Sequence, residues 1–402
     1  MATTEGVNSP EPATHPLYDE LLKCLAVLYP ETAREIDLRK AVSPLIVSSQ
    51  PVRLPRDLAK QAREIVAAFF ALRGEPERSG RLSELDPAVP VPGNSSILMS
   101  YDFHVDPEGR LRLIEINTNA STSLVVDALM ETKKSAREFS RDFRSEIVEC
   151  FESEHDVARP GHKLKTVAIV DEHPENQRLF VEFKMYEELF RRHGWNVSIE
   201  DTSRLRVEGD RLVGTHGPID LVYNRDTDFY LESSRVSALR EATDRNLACI
   251  TPHPHEYRLL ADKERLFELC QPGVLEASAL SASQKEAIRK TLIPSITIDP
   301  SVDKEKLWSD RKKWFFKPRR SFGSKAVYRG SSISRNAFET VTGSNYVAQE
   351  YVPATTLGEF KFDLRFFVYR DRIQLALARL YQGQLTNSHT PGGGIAPIEW
   401  ID

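Results

Sequence analysis

The sequence predicts an α/β protein with α+β elements, in which a parallel-sheet domain is inserted between two antiparallel regions. Three observations predict it. Residues 97–117 read as two strands around a tight turn, residues 166–250 alternate strand with helix, and the chain from 314 onward is dense in strand signals. With 402 residues, 40% of them hydrophobic and 28% charged, there is apolar material for two or three packed subdomains.

Residues 1–15 are rich in Thr, Ser, Pro, Glu and Ala without apolar periodicity, as in a disordered leader. Amphipathic helices are expected at 17–28 and 57–72, the second following Pro55 and ended by Gly74. A Pro-rich stretch, 86–93, separates them from the hairpin "ILMSYDFHV", "DPEG", "RLRLIEIN", whose side chains alternate at period two. A polar loop, "TNASTS", leads to one long helix expected over 124–151. After a charged linker with Pro160 and Gly161 come strand 166–170, helix 179–193, strand 196–200, a small hairpin, strand 221–224, helix 234–244 and strand 249–250. A helix containing Lys263 is expected from 256. The strand signals "WFFKP", "KAVYRG", "YVAQEYV", "FDLRFFVYR" and "RIQLALARLYQ" follow, then a Gly/Thr/Ser stretch at 383–394. The expected organisation is a leader (1–15), N-terminal helices with the hairpin (16–160), an α/β domain (161–255), a smaller antiparallel unit (256–345) and a closing antiparallel unit (346–402).

The net charge of −5, from 54 basic and 59 acidic residues, is mixed along the chain, so no sustained basic face marks a nucleic-acid or membrane partner. Cys24, Cys150, Cys249 and Cys270 are widely spaced, with no pattern for zinc or for a disulfide framework, and a reducing cytoplasm is the expected location. No stretch approaches the roughly 18 to 20 apolar residues that span a bilayer. A homodimer is the default expectation for assembly.

Four constellations carry chemistry. Glu115 and Asn117 lie two apart on one strand and share a face that Asp102 on the partner strand can oppose. Three oxygen donors then converge, which suits Mg²⁺ better than a soft metal. In "WFFKPRRSFGSKAVYRG", Lys317 follows an apolar strand and precedes a polar loop with Gly323, a hairpin able to fold over a triphosphate with Lys317 on its oxygens. In "YVAQEYVP" an apolar strand runs into Gln349, Glu350, Tyr351 and Val352, an edge that can present backbone groups to adenine, with Glu350 near the exocyclic amine or ribose. Arg365 and Arg379 lie on consecutive strands with Asn387 beyond them, placed to offset charge during phosphoryl transfer.

In combination these motifs resemble the ATP-grasp ligases. "YDFHVDPEGRLRLIEINTNAST" is similar to the family's metal-binding hairpin, and its position ahead of the lysine motifs resembles the circularly permuted, eukaryotic-type glutathione synthetases over most of 95–402. The resemblance implies a circularly permuted ATP-grasp fold whose inserted parallel-sheet domain binds substrate. "LVYNRDTDFY" is similar to the strand whose arginine holds the acyl substrate, and Lys263, "FFKPRRSFGSKAVY", "YVAQEYV" and "GGGIA" follow in the family's order. It therefore implies ATP and Mg²⁺ as cofactors, with Asp102, Glu115 and Asn117 as metal ligands. Lys263, Lys317, Ser321, Gly323 and Gln349 to Val352 would hold ATP. Asn119, Ser121, Arg225, Asp226, Gly393 and Gly394 would face the substrate, and Arg365, Arg379 and Asn387 would serve catalysis.

Three positions depart from the family's pattern. Ser321 stands where its glycine-rich loop carries a magnesium-contacting glutamate, no arginine stands near Met99 or Ser100, and Gln384 replaces an arginine before the terminal glycines. The function implied is ADP-forming ligation of a small carboxylate to an amine through an acyl phosphate. Two alternatives stay open beside it: a catalytically degenerate ATP-binding regulatory protein and an ATP-grasp kinase acting on a small molecule.

Overall fold

The computed structural model describes residues 16–74, 93–133, 137–318, 327–343, 346–387 and 390–402. The expected leader, nearly all of the Pro-rich stretch, and the loop bearing Ser321 and Gly323 lie outside the described residues. The first two expected helices are Pro16–Leu28 (α1) and Arg56–Leu72 (α2). In α2, Leu58, Ala62, Ile65, Phe69 and Leu72 recur every three or four residues, which buries one stripe. The hairpin is Met99–Val105 (β1) and Leu111–Asn117 (β2), paired antiparallel. Its turn is set by Asp106, whose Oδ1 accepts the N–H groups of Glu108 (3.1 Å) and Arg110 (2.8 Å), with Gly109 at φ +74°.

The single helix expected over 124–151 is instead two, Ser123–Lys133 (α3) and Phe143–Ala158 (α4). Asp127 of α3 is fully buried and receives Arg137 at 2.7 Å and Arg144 at 3.4 Å. Two guanidinium groups can reach one buried carboxylate only if the chain turns back between the helices. Asp142 starts α4 by accepting the Ser145 N–H at 3.2 Å.

The inserted region runs Thr166–Asp171 (β3), Phe180–Arg192 (α5), Asn196–Asp201 (β4), Leu221–Asn224 (β5), Ser237–Asp244 (α6) and Cys249–Thr251 (β6). Its strands form a fully parallel sheet in the order β6-β5-β3-β4. The near-continuous apolar runs of β3 and β5 suit strands covered on both faces. The topology reverses between β3 and β5, so their carboxyl ends, at Asp171 and Asn224, border the sheet's switch point.

Lys263 opens the helix Lys263–Leu269 (α7), capped by Asp262, whose Oδ1 accepts the Glu264 N–H at 2.9 Å. A π-helical turn, Tyr257–Ala261, precedes it, so the helix expected from 256 is interrupted just before the lysine. After Ala282–Thr291 (α8) comes a small antiparallel sheet of Ser295–Thr297 (β7), Trp314–Pro318 (β8), Tyr328–Arg329 (β9) and, beyond helix Arg335–Thr342 (α9), Tyr346–Glu350 (β10). Its order is β7-β10-β8-β9, and Phe316 and Ala348 bury one face against Phe338 and Val341 of α9.

The next strands are Thr355–Leu357 (β11), Phe360–Tyr369 (β12), Arg372–Tyr381 (β13) and Gly394–Ala396 (β14). They join the hairpin in one antiparallel sheet, ordered β14-β13-β12-β1-β2, with β11 also on β12. One face of this sheet is apolar throughout: Tyr101, Phe103, Leu364, Phe366, Ala378 and Leu380 pack with α2. The other face is divided. Phe367, Leu375 and Leu377 bury one end against α1, α3 and α4, and the remaining end carries Asp102, Glu115, Asn117, Asp363, Arg365 and Arg379. No described helix is long and apolar enough to cross a membrane.

Phe103 is fully buried and meets Phe366 edge to face at 5.6 Å. Phe103→Ala is expected to cost about 3–5 kcal/mol, read as a lower urea midpoint at unchanged denaturant slope.

Candidate functional site

The polar end of the central sheet is built by register. Asp102 stands opposite Glu115 on β2 and opposite Arg365 on β12, while Asp363 stands opposite Arg379. A bulge in β2 takes up Ile114 between the pairs Asp102–Glu115 and Phe103–Leu113. Ile116 thereby stays in the core while Glu115 and Asn117 face the site.

Asp102 is fully buried and both of its oxygens are engaged. Arg365 donates to Oδ1 (2.8 Å) and Oδ2 (2.7 Å), and Arg379 to Oδ2 (3.0 Å). Arg379 also reaches Asp363 Oδ1 at 2.6 Å, and Thr386 donates to Asp363 Oδ2 at 2.5 Å. Burial alone would raise the Asp102 pKa, but the two guanidinium groups outweigh it and hold the carboxyl below the ordinary value. Both arginines are thus fixed in place by partners of opposite charge.

Glu115 and Asn117 sit beside this network, half-buried. The Asn117 amide makes only long contacts, 3.4 Å to Ser100 Oγ and 3.5 Å to Glu115 Oε1. A carboxylate and an amide oxygen are hard donors that fit Mg²⁺, whose coordination is completed by water and phosphate oxygens. Among the described residues, no group of three or more His, Cys, Asp or Glu side chains is arranged to hold a metal alone. Lys317 faces them from the small sheet. Burial pushes its pKa down to about 8, with Glu115 pulling the other way and Lys263 adding to the depression, so the three groups share one electrostatic environment. Its Nζ donates to Gln349 Oε1 at 2.5 Å.

His104 is on the same face as Asp102, two residues along β1, and strand alternation alone could have marked it. Burial pushes its pKa down to about 4, so the imidazole is neutral near pH 7, and its buried Nδ1 has no hydrogen-bond partner among the described residues.

The segment expected to hold adenine, Gln349 to Val352, spans the end of β10. The N–H groups of Glu350 and Tyr351 donate to Pro294 O (2.8 Å) and Lys313 O (2.7 Å), so these two already hold the small sheet together. Gln349 is buried, whereas Tyr351 and Val352 are half-buried.

The other expected substrate residues are more enclosed than the sequence suggests. Arg225, at the end of β5, is buried and donates to Ala120 O (2.9 Å) and the Tyr223 hydroxyl (3.1 Å), while Asn119 Nδ2 returns a bond to Arg225 O (2.9 Å). Asp226 is held by Arg235 through both oxygens. Glu182 of α5, which sequence reasoning passed over, accepts the N–H groups of Thr122 (2.7 Å) and Leu124 (3.3 Å) at the start of α3. The inserted domain therefore grips the loop that leaves Asn117, with Ser121 half-exposed in its middle. A buried glutamate inside the apolar run "LFVEFKMY" was the available signal.

Gly393 and Gly394 have no room for side chains. A Cβ on Gly393 would meet Leu380 O at 2.5 Å, and one on Gly394, at φ +102°, would meet Leu45 O at 2.5 Å. Asn387 is turned onto its own loop, donating to Gln382 O (2.9 Å) and accepting from Thr390 Oγ1 (2.9 Å).

No protein-family model matches the sequence, and no curated protein matches it. Solved structures do. The apo structure of a glutathione synthetase-like effector from Globodera pallida aligns with 98% of this chain and 99% of its own, at TM-score 0.57 and 13% identity. A protein assigned as gamma-glutamylcysteine synthetase from Methylobacillus flagellatus aligns over 85% of this chain and 87% of its own, at TM-score 0.51 and 11% identity. At these identities the likeness to these two structures is one of fold alone.

Asp102→Ala would leave two arginines facing each other in the core and is expected to cost about 3–5 kcal/mol in urea unfolding. The wild-type contribution has a definite pH window. Because the folded pKa lies below the unfolded value of about 3.9, it is complete above that value and fades as pH falls through the lower folded pKa. The mutant and wild-type stabilities should therefore converge only in strong acid.

Proposed function

We propose that this protein is an ATP- and magnesium-dependent carboxylate–amine ligase that works through an acyl phosphate. The observation that carries the reading is the convergence, at one end of one sheet face, of the Glu115–Asn117 oxygen pair, Lys317 with Lys263 nearby, and two arginines preset by buried aspartates. The likeness in fold to a glutathione synthetase-like effector and to a protein assigned as gamma-glutamylcysteine synthetase supports it.

Glu115 and Asn117 would hold magnesium, which when bound neutralises charge on the β- and γ-phosphates. Lys317 and Lys263 grip phosphate oxygens from the opposing side. The substrate carboxylate attacks the γ-phosphorus and ADP leaves. The amine then attacks the acyl carbon, and phosphate departs as the amide forms. Arg365 and Arg379 stabilise the negative charge that develops in both steps, and cost little reorganisation because Asp102 and Asp363 already hold them. In this reading Asp102 acts chiefly by positioning the arginines. Arg225, Asn119 and Glu182 shape the loop on which Ser121 meets the acid.

The test is ADP release by the full chain with Mg²⁺, ATP and a panel of small acids and amines. Turnover should need both an acid and an amine, and Glu115→Ala or Lys317→Ala should lower it on the order of 10² or more, equivalent to ~3 kcal/mol of transition-state stabilisation. Undiminished activity in either variant overturns the site. Nucleotide binding without turnover would mark a degenerate ATP-binding protein, and a phosphorylated acid stable without amine would mark a small-molecule kinase.

A further inference from the structure

On the small sheet, Arg329 of β9 is directly opposite Phe315 of β8, which is directly opposite Gln349 of β10. Directly paired residues share a face, so Arg329, Phe315 and Gln349 line one side of the sheet. Lys317, two residues beyond Phe315, lies on that side as well, and its amine reaches Gln349. The neighbour of Arg329, Tyr328, packs on the other side with Phe316, Phe338 and Tyr346. Arg329 is therefore turned toward the same cleft as Lys317.

Its guanidinium is placed there in an unusual state. The carbon Cζ lies 4.3 Å from the centre of the Tyr351 ring, and Phe315 packs on that ring at 5.5 Å. Arg329 forms no salt bridge among the described residues, and its Nε is buried without a hydrogen-bond partner. A buried, unpartnered N–H is costly, and a planar cation stacked on one aromatic has its second face free for another. Tyr351 belongs to the segment after β10, and Lys317 lies toward the opposite end of the paired strands, so the stacked pair sits away from the phosphate end of the cleft.

We infer that Arg329 and Tyr351 form a stacking platform for the nucleotide base, with the guanidinium plane between the tyrosine ring and the purine. This rests on the proposed nucleotide site and adds a base-binding residue to it. The guanidinium attracts the π-face of the base, and its terminal N–H groups are donors for purine ring nitrogens or ribose oxygens. Lysine cannot substitute, because an ammonium neither stacks as a plane nor presents a fork of donors.

The experiment measures binding of Mg²⁺-ATP and of inorganic tripolyphosphate to the full chain, wild type, Arg329→Ala and Arg329→Lys, with Lys317→Ala as reference. For Arg329→Ala, ATP affinity should fall about tenfold while tripolyphosphate affinity stays within twofold, and Arg329→Lys should recover little of the loss. Lys317→Ala should weaken both ligands. Equal losses for ATP and tripolyphosphate in Arg329→Ala would make Arg329 a phosphate ligand and overturn the platform, as would unchanged ATP affinity. Failure of the wild type to bind Mg²⁺-ATP would instead overturn the nucleotide site itself. Thermal unfolding of each variant separates loss of binding from loss of fold, and Arg329→Lys serves if the alanine variant does not fold.

Discussion

The structure turns on one buried carboxylate. Asp102 has no water to solvate it, and in exchange it takes three N–H donors from Arg365 and Arg379, residues 263 and 277 positions away along the chain. Isolated, any of these three charges would be expensive to bury; together with Asp363 they nearly neutralise one another. The exchange works only if the hairpin near residue 100 pairs with the strand near 365, and that strand with the one near 379, with no slip in register. A one-residue slip would send Asp102 into the apolar face shared by Phe103 and Phe366 and bring phenylalanine against the arginines.

That pairing sets the rest of the site. Once the hairpin is in register, the bulge at Ile114 turns Glu115 and Asn117 onto the polar end of the sheet while Ile116 stays in the core. The loop that follows is drawn against the inserted domain, where Arg225 takes the carbonyl of Ala120 and Glu182 takes the N–H groups at the start of α3. The small sheet presents Lys317 from the other side, in a pocket dry enough to depress its pKa despite Glu115 close by.

Much of this was legible in the residues. The period-two pattern of "RLRLIEIN" placed Glu115 and Asn117 on one face, and the alternation of strand and helix over 166–250 announced a parallel sheet, because both signals are local and arise from backbone geometry. The long helix over 124–151 was misread because its apolar periodicity carries on through the break. What interrupts it is a tertiary demand, two arginines reaching Asp127, with Asp142 as the only local trace. The π-helical turn before Lys263 left no pattern of its own.

By itself the sequence determined the fold class and the strand face that Glu115 and Asn117 share, since residue types, strand alternation and motif order are properties of the chain. It could not assign those groups their partners. Asp102, Glu115 and Asn117 look equivalent as oxygen donors in a hairpin, and only pairing with β12, with β13 beside it, divides them into a carboxylate bonded to two arginines and two half-buried side chains next to it. Nor does the sequence show that the Arg225 guanidinium donates to the Ala120 carbonyl, or that the Arg329 guanidinium lies over the Tyr351 ring. In each case the deciding quantity is burial against a distant segment, which changes the free energy of a charge by several kcal/mol and exists only once the chain has folded.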